Sequence, residues 1–293
     1  MPADALALVV LSAFLHAGWS ALMKRSPDLL AFNALQCAPT LLVGLALLPF
    51  LPLHELGPDF FAVLAASSLI HGVYFLGLTR ALELGELSLV YPIVRSTPAL
   101  LPLLALPLLG ERPSPAGAGG IAVVVAGVWL VQGEGRVSRR ALLSPAARWA
   151  GFTLVTTVGY SLSDKRAMAL LEAAPWSSPV PRSVAYFFLL SAGSSLVFLP
   201  LAGRRLAGAR LRASMRRELP AVLLSVAASL LSYGLVLEAF RSAPVSYVVA
   251  VRQLSVLFAV GLSVLWLRER PSALRLSGAV ATVVGVALIA YAG

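Results

Sequence analysis

Apolar stretches of about twenty residues recur along the whole chain, and they constrain its fold more than any other feature. Each stretch is long enough to cross a hydrocarbon core of roughly 30 Å as a helix. Hydrophobic residues make up 59% of the sequence and charged residues only 12%, far outside the range of soluble domains. The stretches are too long and too uniformly apolar for the alternating strands of a membrane barrel. Because a backbone in lipid must satisfy its own hydrogen bonds, the sequence predicts an all-α integral membrane protein.

Charge clusters and proline or glycine breaks divide the chain into ten predicted transmembrane helices. The first lacks the basic region of a secretory signal, so we expect it to be a retained helix. Almost no sequence remains for a soluble domain. The predicted spans are 3–23, 30–53, 59–82, 87–109, 115–132, 148–170, 183–202, 219–240, 244–267 and 273–292.

The two halves of the chain repeat each other. Residues 81–130 match residues 239–288 without a gap, and Lys24-Arg25 matches Lys165-Arg166. Five spans per unit is an odd number, so the second copy must enter the membrane in the opposite sense. We therefore predict two inverted five-helix repeats, at residues 1–133 and 148–293, joined by a cytoplasmic loop at residues 134–147.

Paired motifs follow the fourth and ninth spans: Leu-Gly-Glu-Arg at 109–112 and Leu-Arg-Glu-Arg at 267–270. With the glycines at 120, 127, 278 and 285, they resemble the EamA-type branch of the drug/metabolite transporter superfamily over essentially the full length. The resemblance implies a secondary transporter with a central cavity between the repeats. The glycines have a spacing that keeps them on one helix face, so we expect them to allow close packing of spans 5 and 10.

The basic residues are distributed unevenly between the two predicted membrane faces. Sixteen lie on the face reached after spans 1, 3, 5, 7 and 9, and five on the other. The positive-inside rule makes the first face cytoplasmic and places both termini in the periplasm of a bacterial inner membrane. Members of the resembled family are usually drawn with cytoplasmic termini, which is the reverse. The arginine-rich stretch 203–220 is interpreted as an orientation signal in a solvated loop, with or without a short interfacial helix.

Two arginines lie inside predicted spans, where a charge is costly and therefore a candidate for function. Arg95 is in span 4 and Arg252 in span 9, and the repeat counterpart of Arg95 is Gln253. A guanidinium group matches a carboxylate or phosphoryl group with two parallel hydrogen bonds. Plastid sugar-phosphate translocators, distant members of the superfamily, also use basic residues on these two helices. The alternative is an arginine held for packing by a buried acid such as Glu238 or by helix-end carbonyls.

Other titratable residues in the spans have two interpretations each. Lys24 and Lys165 could guide an anion at opposite mouths of a pathway, or extend to the membrane surface from helix ends. His16 and His71 could couple transport to protons, or pack as neutral residues. Glu238 could also couple protons, but its spacing from Arg241 favours a local ion pair, and Asp164 beside Lys165 suggests the same.

Aromatic residues lie on the spans that line the cavity in the resembled family. They could hold an apolar part of a substrate or face lipid. Span 4 also carries four prolines, whereas span 9 has one, at its first residue, so we expect span 4 to bend more. The aromatic candidates are Trp19, Tyr74, Tyr91, Tyr160, Tyr233 and Tyr247.

We expect a secondary active transporter for a small anionic or zwitterionic metabolite, working as a monomer among membrane lipids. A flippase or scramblase for a phosphorylated lipid is the alternative, and a lateral opening between helices would favour it. An intramembrane enzyme is a distant third, because the sequence has no metal-ligand cluster, nucleophile–base pair or glycine-rich phosphate loop. We expect no cofactor, metal or nucleic-acid partner.

Overall fold

The computed structural model describes residues 1–132, 139–203, 205–206, 208–267 and 271–292. Within these ranges the chain is helical and has no strand, as the composition predicts. The helices are α1 (Ala3–Lys24), α2 (Leu29–Leu47), α3 (Pro58–Leu84), α4 (Leu87–Val94), α5 (Thr97–Leu109), α6 (Pro115–Gln132), α7 (Arg139–Leu142), α8 (Pro145–Ala173), α9 (Arg182–Gly203), α10 (Gly208–Ala239), α11 (Val245–Val251), α12 (Leu254–Leu267) and α13 (Ala273–Ala292).

Eight helical segments in the described ranges are long and apolar enough to cross a membrane, so the chain is a multi-pass membrane protein. They are α1, α2, α3, the pair α4 and α5, α6, α9, α10 and α13. Helix α8 has 29 residues but also carries Asp164, Lys165 and Arg166. The pair α11 and α12 contributes a shorter apolar segment, Val245–Gly261.

Residues 208–220 of the arginine-rich stretch are helical, where the sequence analysis expected a solvated loop with or without a short interfacial helix; residues 204 and 207 lie outside the described residues. Helix α10 begins at Gly208, eleven residues before the predicted span, and has 32 residues. Alanine, leucine, methionine and arginine in this stretch favour a helix over a loop. Two contacts fix it: Arg210 donates to Asp28 at 2.8 Å, and Ser26 donates to Glu218 at 2.8 Å. The basic residues therefore lie on a helix that packs beside the α1–α2 junction.

Spans 4 and 9 are both interrupted near their middles, although span 9 has no proline beyond its first residue. The first break separates α4 from α5 at residues 95–96, and the second separates α11 from α12 at residues 252–253. The prediction attributed bending to proline and so missed the second break. In span 9 the side chain of Gln253 donates to the Val249 carbonyl at 3.2 Å, which supplies a partner inside the interrupted helix.

Helices α6 and α13 touch through their glycines, as predicted. A Cβ atom at Gly120 would lie 2.8 Å from the Gly285 carbonyl, and one at Gly285 would lie 2.7 Å from the Gly120 carbonyl. Gly278 and Gly127 approach each other in the same reciprocal way. Because real Cβ atoms do not tolerate such distances, any side chain here would push the two helices apart.

Contacts between helix ends define the two ends of the bundle. At the arginine-rich end, Arg205 lies 3.7 Å from Glu83 and Arg210 lies 2.8 Å from Asp28. At the opposite end, Ser177 donates to Glu55 at 2.8 Å. The largest hydrophobic core includes Val9, Phe60, Met168, Leu237 and Ile289, and it extends to the opposite end, where Met1 and Leu56 join it.

Candidate functional site

A cavity of about 220 Å³ lies between the helices. Its wall comes from α1–α5, α8–α11 and the break residues of span 9, while α6, α12 and α13 contribute none of the lining residues. Ten residues that the sequence singled out line it: His16, Trp19, His71, Tyr74, Tyr91, Arg95, Tyr160, Tyr233, Arg252 and Gln253.

Helices α2 and α9 also face the cavity, which the sequence analysis did not anticipate. Helix α2 contributes Asn33, Gln36, Cys37 and Thr40, and α9 contributes a serine cluster that includes Ser191. The α2 residues follow the spacing i, i+3, i+4, i+7, which places them on one helix face. Such a polar stripe within an apolar span indicates a helix face that contacts water.

The two helix breaks bring both arginines into the cavity wall. Arg95 follows the last residue of α4, and Arg252 follows the last residue of α11. At the first break Pro98 has no N–H to offer, and the Thr97 hydroxyl instead donates to the Val94 carbonyl at 3.0 Å. Side chains thus satisfy carbonyl groups near the breaks, so the interruptions are stable features of the wall.

His16 lies between the two guanidinium groups. Arg95 Nη2 is 3.4 Å from its Nε2 atom, and Arg252 Nη2 is 3.3 Å from its Nδ1 atom. A neutral imidazole has one nitrogen that accepts a hydrogen bond, because the other carries a proton. The ring can therefore accept from one arginine at a time. We call Arg95, Arg252 and His16 the arginine–histidine cluster.

The arginine–histidine cluster has more donors than acceptors. Arg95 donates to Ser255 at 3.0 Å, and the buried Nε atom of Arg252 has no hydrogen-bond partner. In the part of the chain that the structure describes, no carboxylate pairs with either arginine. The cavity lining contains no aspartate or glutamate. Two positive charges therefore face the cavity without a negative partner.

Asp164 is fully buried in a second cluster that borders the cavity. Its Oδ1 atom accepts hydrogen bonds from Ser67 and, at 2.7 Å, from Tyr186. Its Oδ2 atom accepts from Tyr233 and lies 3.1 Å from His71 Nε2. We call these five residues the Asp164 cluster. The expected pairing with Lys165 was wrong, because neighbouring residues on a helix point to different sides.

Aromatic rings join the two clusters. His71 stacks on Tyr160 with ring centroids 4.0 Å apart, and Tyr74 meets Tyr160 edge-on at 5.4 Å. The guanidinium of Arg252 lies over the ring of Tyr233 at 5.3 Å. Tyr233 thus contacts Arg252 with its ring and Asp164 with its hydroxyl.

Lys165 does not line the cavity, so the structure does not support its predicted role in guiding or binding an anion. It donates to the carbonyls of Phe240 and Ala243, at the end of α10, and lies 3.8 Å from Glu111. Glu111 in turn accepts a hydrogen bond from Val245 N at 2.8 Å. Burial raises the pKa of the Glu111 carboxyl, and Lys165 opposes that rise. We call this contact the lysine lock.

Three further predicted residues either do not line the cavity or lie outside the part of the chain that the structure describes. Glu238 pairs with Arg241, as its spacing predicted, and this pair is on the surface. Tyr247 accepts a hydrogen bond from Ser114 N at 3.0 Å and is not part of the cavity wall. The side chain of Lys24 is outside the described part of the structure, as are the motif residues at 268–270.

The described residues contain no group of three or more His, Cys, Asp or Glu side chains that could hold a metal ion.

Comparison with known proteins gives a family and a fold. The EamA-like transporter family matches residues 4–132 and 173–291. No curated protein matches the sequence. A solved structure described only as "Crystal structure of protein" aligns over 100% of both chains with a TM-score of 0.70 and 17% sequence identity, a similarity that shows the fold alone. The two matched ranges cover most of the sequence, and the chain belongs to the EamA-like transporter family.

Proposed function

We propose that this chain is a secondary active transporter that moves a small anionic or zwitterionic metabolite, such as a carboxylate, organophosphate, phosphonate or amino acid. The observation that carries the proposal is the arginine–histidine cluster. Two guanidinium groups face a cavity whose described lining has no carboxylate, and one of them has an unpartnered buried donor. A bound oxyanion would accept from both arginines and offset the cost of burying their charges.

The wall of the cavity supports a carrier rather than a flippase. Helices α1, α10, α9, α3, α8 and α11 contact one another in a closed ring, in that order, and α11 returns to α1. A lipid headgroup would need a lateral gap between neighbouring helices to enter from the bilayer. A small water-soluble solute needs an opening only at one end of the bundle.

The cavity residues favour alternating access from the arginine-rich end. On α1 they occupy the second half of the helix, and on α2 three of the four lie in the first half, which are the parts nearest the α1–α2 junction. Toward the opposite end the hydrophobic core and the lysine lock fill the space between the helices. This arrangement fits one state of a carrier in which the opposite end is closed.

For the topology we propose ten spans in two inverted repeats, at 1–133 and 148–293, with a loop at 134–147. Adding α8 and the pair α11 and α12 to the eight apolar segments gives ten. The equivalent breaks in spans 4 and 9, the reciprocal glycine contacts and the two separate family matches support the repeat. The basic residues of the arginine-rich end favour a cytoplasmic position for that end and periplasmic termini in the inner membrane.

Cysteine labelling tests this orientation. In a Cys37→Ala background, Gly208→Cys at the start of α10 should resist a membrane-impermeant maleimide in intact cells and react after permeabilisation. The matched control is Ala173→Cys at the opposite end, which should react in intact cells. Reversed reactivity of the two positions would contradict the orientation.

A thermal-shift screen tests the substrate class. Purified monomeric protein is heated with carboxylates, organophosphates, phosphonates and amino acids, because a ligand that binds the folded state raises the melting temperature. We expect stabilisation by at least one anionic or zwitterionic class, and uptake of that compound into proteoliposomes. Arg95→Gln and Arg252→Gln should each weaken binding about tenfold or more, since charge-assisted hydrogen bonds contribute roughly 1.5–3 kcal/mol.

The control for both variants is Arg216→Gln, because Arg216 is an exposed arginine on α10. This change removes one positive charge and leaves the cavity intact, so binding and uptake should match the unmodified protein. Unchanged transport in both cavity variants would contradict the proposed role of the two arginines.

A further inference from the structure

Asp164 differs from the other aspartates of the chain. Asp4 and Asp59 lie in the first turns of α1 and α3, and Asp28 caps α2. These are the positions that favour an acidic residue at a helix start. Asp164 lies far inside α8 with no exposed surface. Its burial therefore needs another explanation than helix capping.

The hydrogen bonds of Asp164 match an ionised carboxylate. Three hydroxyl groups, from Ser67, Tyr186 and Tyr233, surround its two oxygens, and His71 Nε2 completes the set at 3.1 Å. When His71 donates from Nε2, four donors meet the four acceptor positions of the carboxylate. A proton transferred from His71 Nε2 to Oδ2 would turn that acceptor position into a donor, and the deprotonated Nε2 would become its acceptor. Protonation would therefore reverse the hydrogen bond between α3 and α8 and leave the three hydroxyl donors in place.

His71 offers a path to this buried oxygen. Its side chain is 12% exposed and lines the cavity, whereas the Asp164 side chain is 0% exposed. Nε2 faces Asp164, which leaves Nδ1 for exchange with cavity water. If Nδ1 gains a proton, Nε2 can release its own to Oδ2: one N–H bond forms, one breaks and one O–H bond forms. The positive charge does not stay on the ring, and Asp164 becomes neutral.

The four groups that hydrogen-bond to Asp164 come from three neighbouring helices. Ser67 and His71 are on α3, Tyr186 is on α9 and Tyr233 is on α10. On its own helix, Lys165 points away to the end of α10. Beyond Tyr233 the next charge is Arg252, which lies over that ring. Proton uptake by Asp164 therefore removes the negative charge nearest to this face of the arginine–histidine cluster.

We propose that Asp164 and His71 form a proton-binding site that is coupled to the anion-binding cluster through Tyr233. The coupling between proton binding and anion binding rests on the proposed transport function, whereas proton binding by itself does not. A neutral Asp164 leaves the two arginines with less compensating charge, so an anion binds more tightly after a proton has bound. By linkage, the anion then strengthens proton binding by the same factor, which is the behaviour of a symporter.

Infrared difference spectroscopy tests proton binding without a known substrate. The purified full chain is acidified, and the C=O stretch of a protonated carboxylic acid is followed. We expect a band that shifts on isotope labelling of aspartate and disappears in Asp164→Asn. Glu111→Gln, which alters another partly buried acid, should keep the band. A band that persists in folded Asp164→Asn, or none in the unmodified protein wherever it remains folded, would overturn the proposal.

A second variant keeps the test informative if Asp164→Asn does not fold. His71→Gln retains an N–H donor but cannot relay a proton, so the band should remain while its appearance after a pH jump slows by about a hundredfold or more. An unchanged rate would remove His71 from the path. Sodium-dependent stabilisation that replaces the acid band would show a cation site instead and overturn the proton assignment.

Failure of the two proposals can be distinguished. Arg252→Gln should abolish anion stabilisation in the thermal-shift screen and keep the infrared band. If no anion binds but the band behaves as expected, the proton site stands and the transport proposal fails. If an anion binds equally well across the pH range in the unmodified protein, coupling is refuted.

Discussion

The ring of Tyr233 lies beneath the guanidinium of Arg252, with the Cζ atom 5.3 Å from the ring centroid. The hydroxyl of the same tyrosine donates to Asp164. One side chain thus contacts Arg252 of the arginine–histidine cluster with its ring face and the buried carboxylate with its hydroxyl. These two contacts can be removed separately.

Tyr233→Phe should leave anion affinity within about threefold, because the ring that supports Arg252 remains, with a cation–π interaction of roughly 0.5–2 kcal/mol. It should instead weaken the dependence of anion binding on pH. Titration of the melting temperature with the anion at acidic and neutral pH measures both quantities.

Tyr233→Leu is the matched comparison, since it removes the ring as well as the hydroxyl. We expect about tenfold weaker anion binding at every pH. Equal affinities in the Phe and Leu variants would show that the ring does not support Arg252.

Gly120→Ala should lower the melting temperature by several degrees. A Cβ atom at Gly120 would lie 2.8 Å from the Gly285 carbonyl, and the backbone cannot yield as a side chain would. Overpacking of this kind costs about 1–3 kcal/mol. Gly119→Ala is the control one residue away, where a Cβ atom meets nothing within 4 Å. It should leave the melting temperature unchanged or raise it, because alanine favours a helix.

Lys165→Met should destabilise the opposite end of the bundle by about 2–3 kcal/mol, since it leaves Glu111 and two carbonyl groups with fewer partners. The loss should grow as pH rises. Burial raises the pKa of Glu111, so the unfolded chain releases this proton at lower pH than the folded chain, and ionisation lowers stability. Melting temperatures from acidic to neutral pH measure the effect.

The double variant Lys165→Met with Glu111→Gln isolates the carboxylate. Because the glutamine has no charge, the additional pH dependence should vanish. Persistence of that dependence in the double variant would mean that another group causes it.

Glu172 and Arg241 should contribute about 1 kcal/mol or less in a double-mutant cycle, because exposed ion pairs are screened by solvent. The hydrogen bond from Arg241 lowers the pKa of Glu172. The contribution is therefore present at neutral pH and lost as pH falls through the lowered pKa. A coupling energy that stays constant down to strongly acidic pH would contradict this assignment.

The helical membrane fold was predictable because lipid leaves the backbone few alternatives. Arg95, Arg252 and five of the six aromatic candidates do line the cavity, since charge and aromatic content are visible in apolar sequence, whereas Tyr247 does not. The break at residues 252–253 was missed because it has no proline to mark it, and Gln253 at the break was recognised only as the counterpart of Arg95.

Asp164 was misjudged for a different reason. Its neighbour Lys165 suggested an ion pair, but the two side chains point into different environments, which only the packing of α8 decides. Its hydrogen-bond partners come from three other helices and are far away in sequence, so no local pattern predicts them. The polar stripe of α2 carried a periodic signal, and it was overlooked because only charged and aromatic side chains were taken as cavity candidates.

The seam between α6 and α13 also bears on how the protein is made. Helix α13 is synthesised after α6, and it must meet a glycine face that was made about half a chain earlier. Until then the glycine face of α6 has no helix packed against it. The amino group of Met1 likewise lacks the Ala290 carbonyl to which it later donates a hydrogen bond. Removal of α13 would therefore leave the glycine face of α6 uncovered and the first half of the chain incompletely assembled.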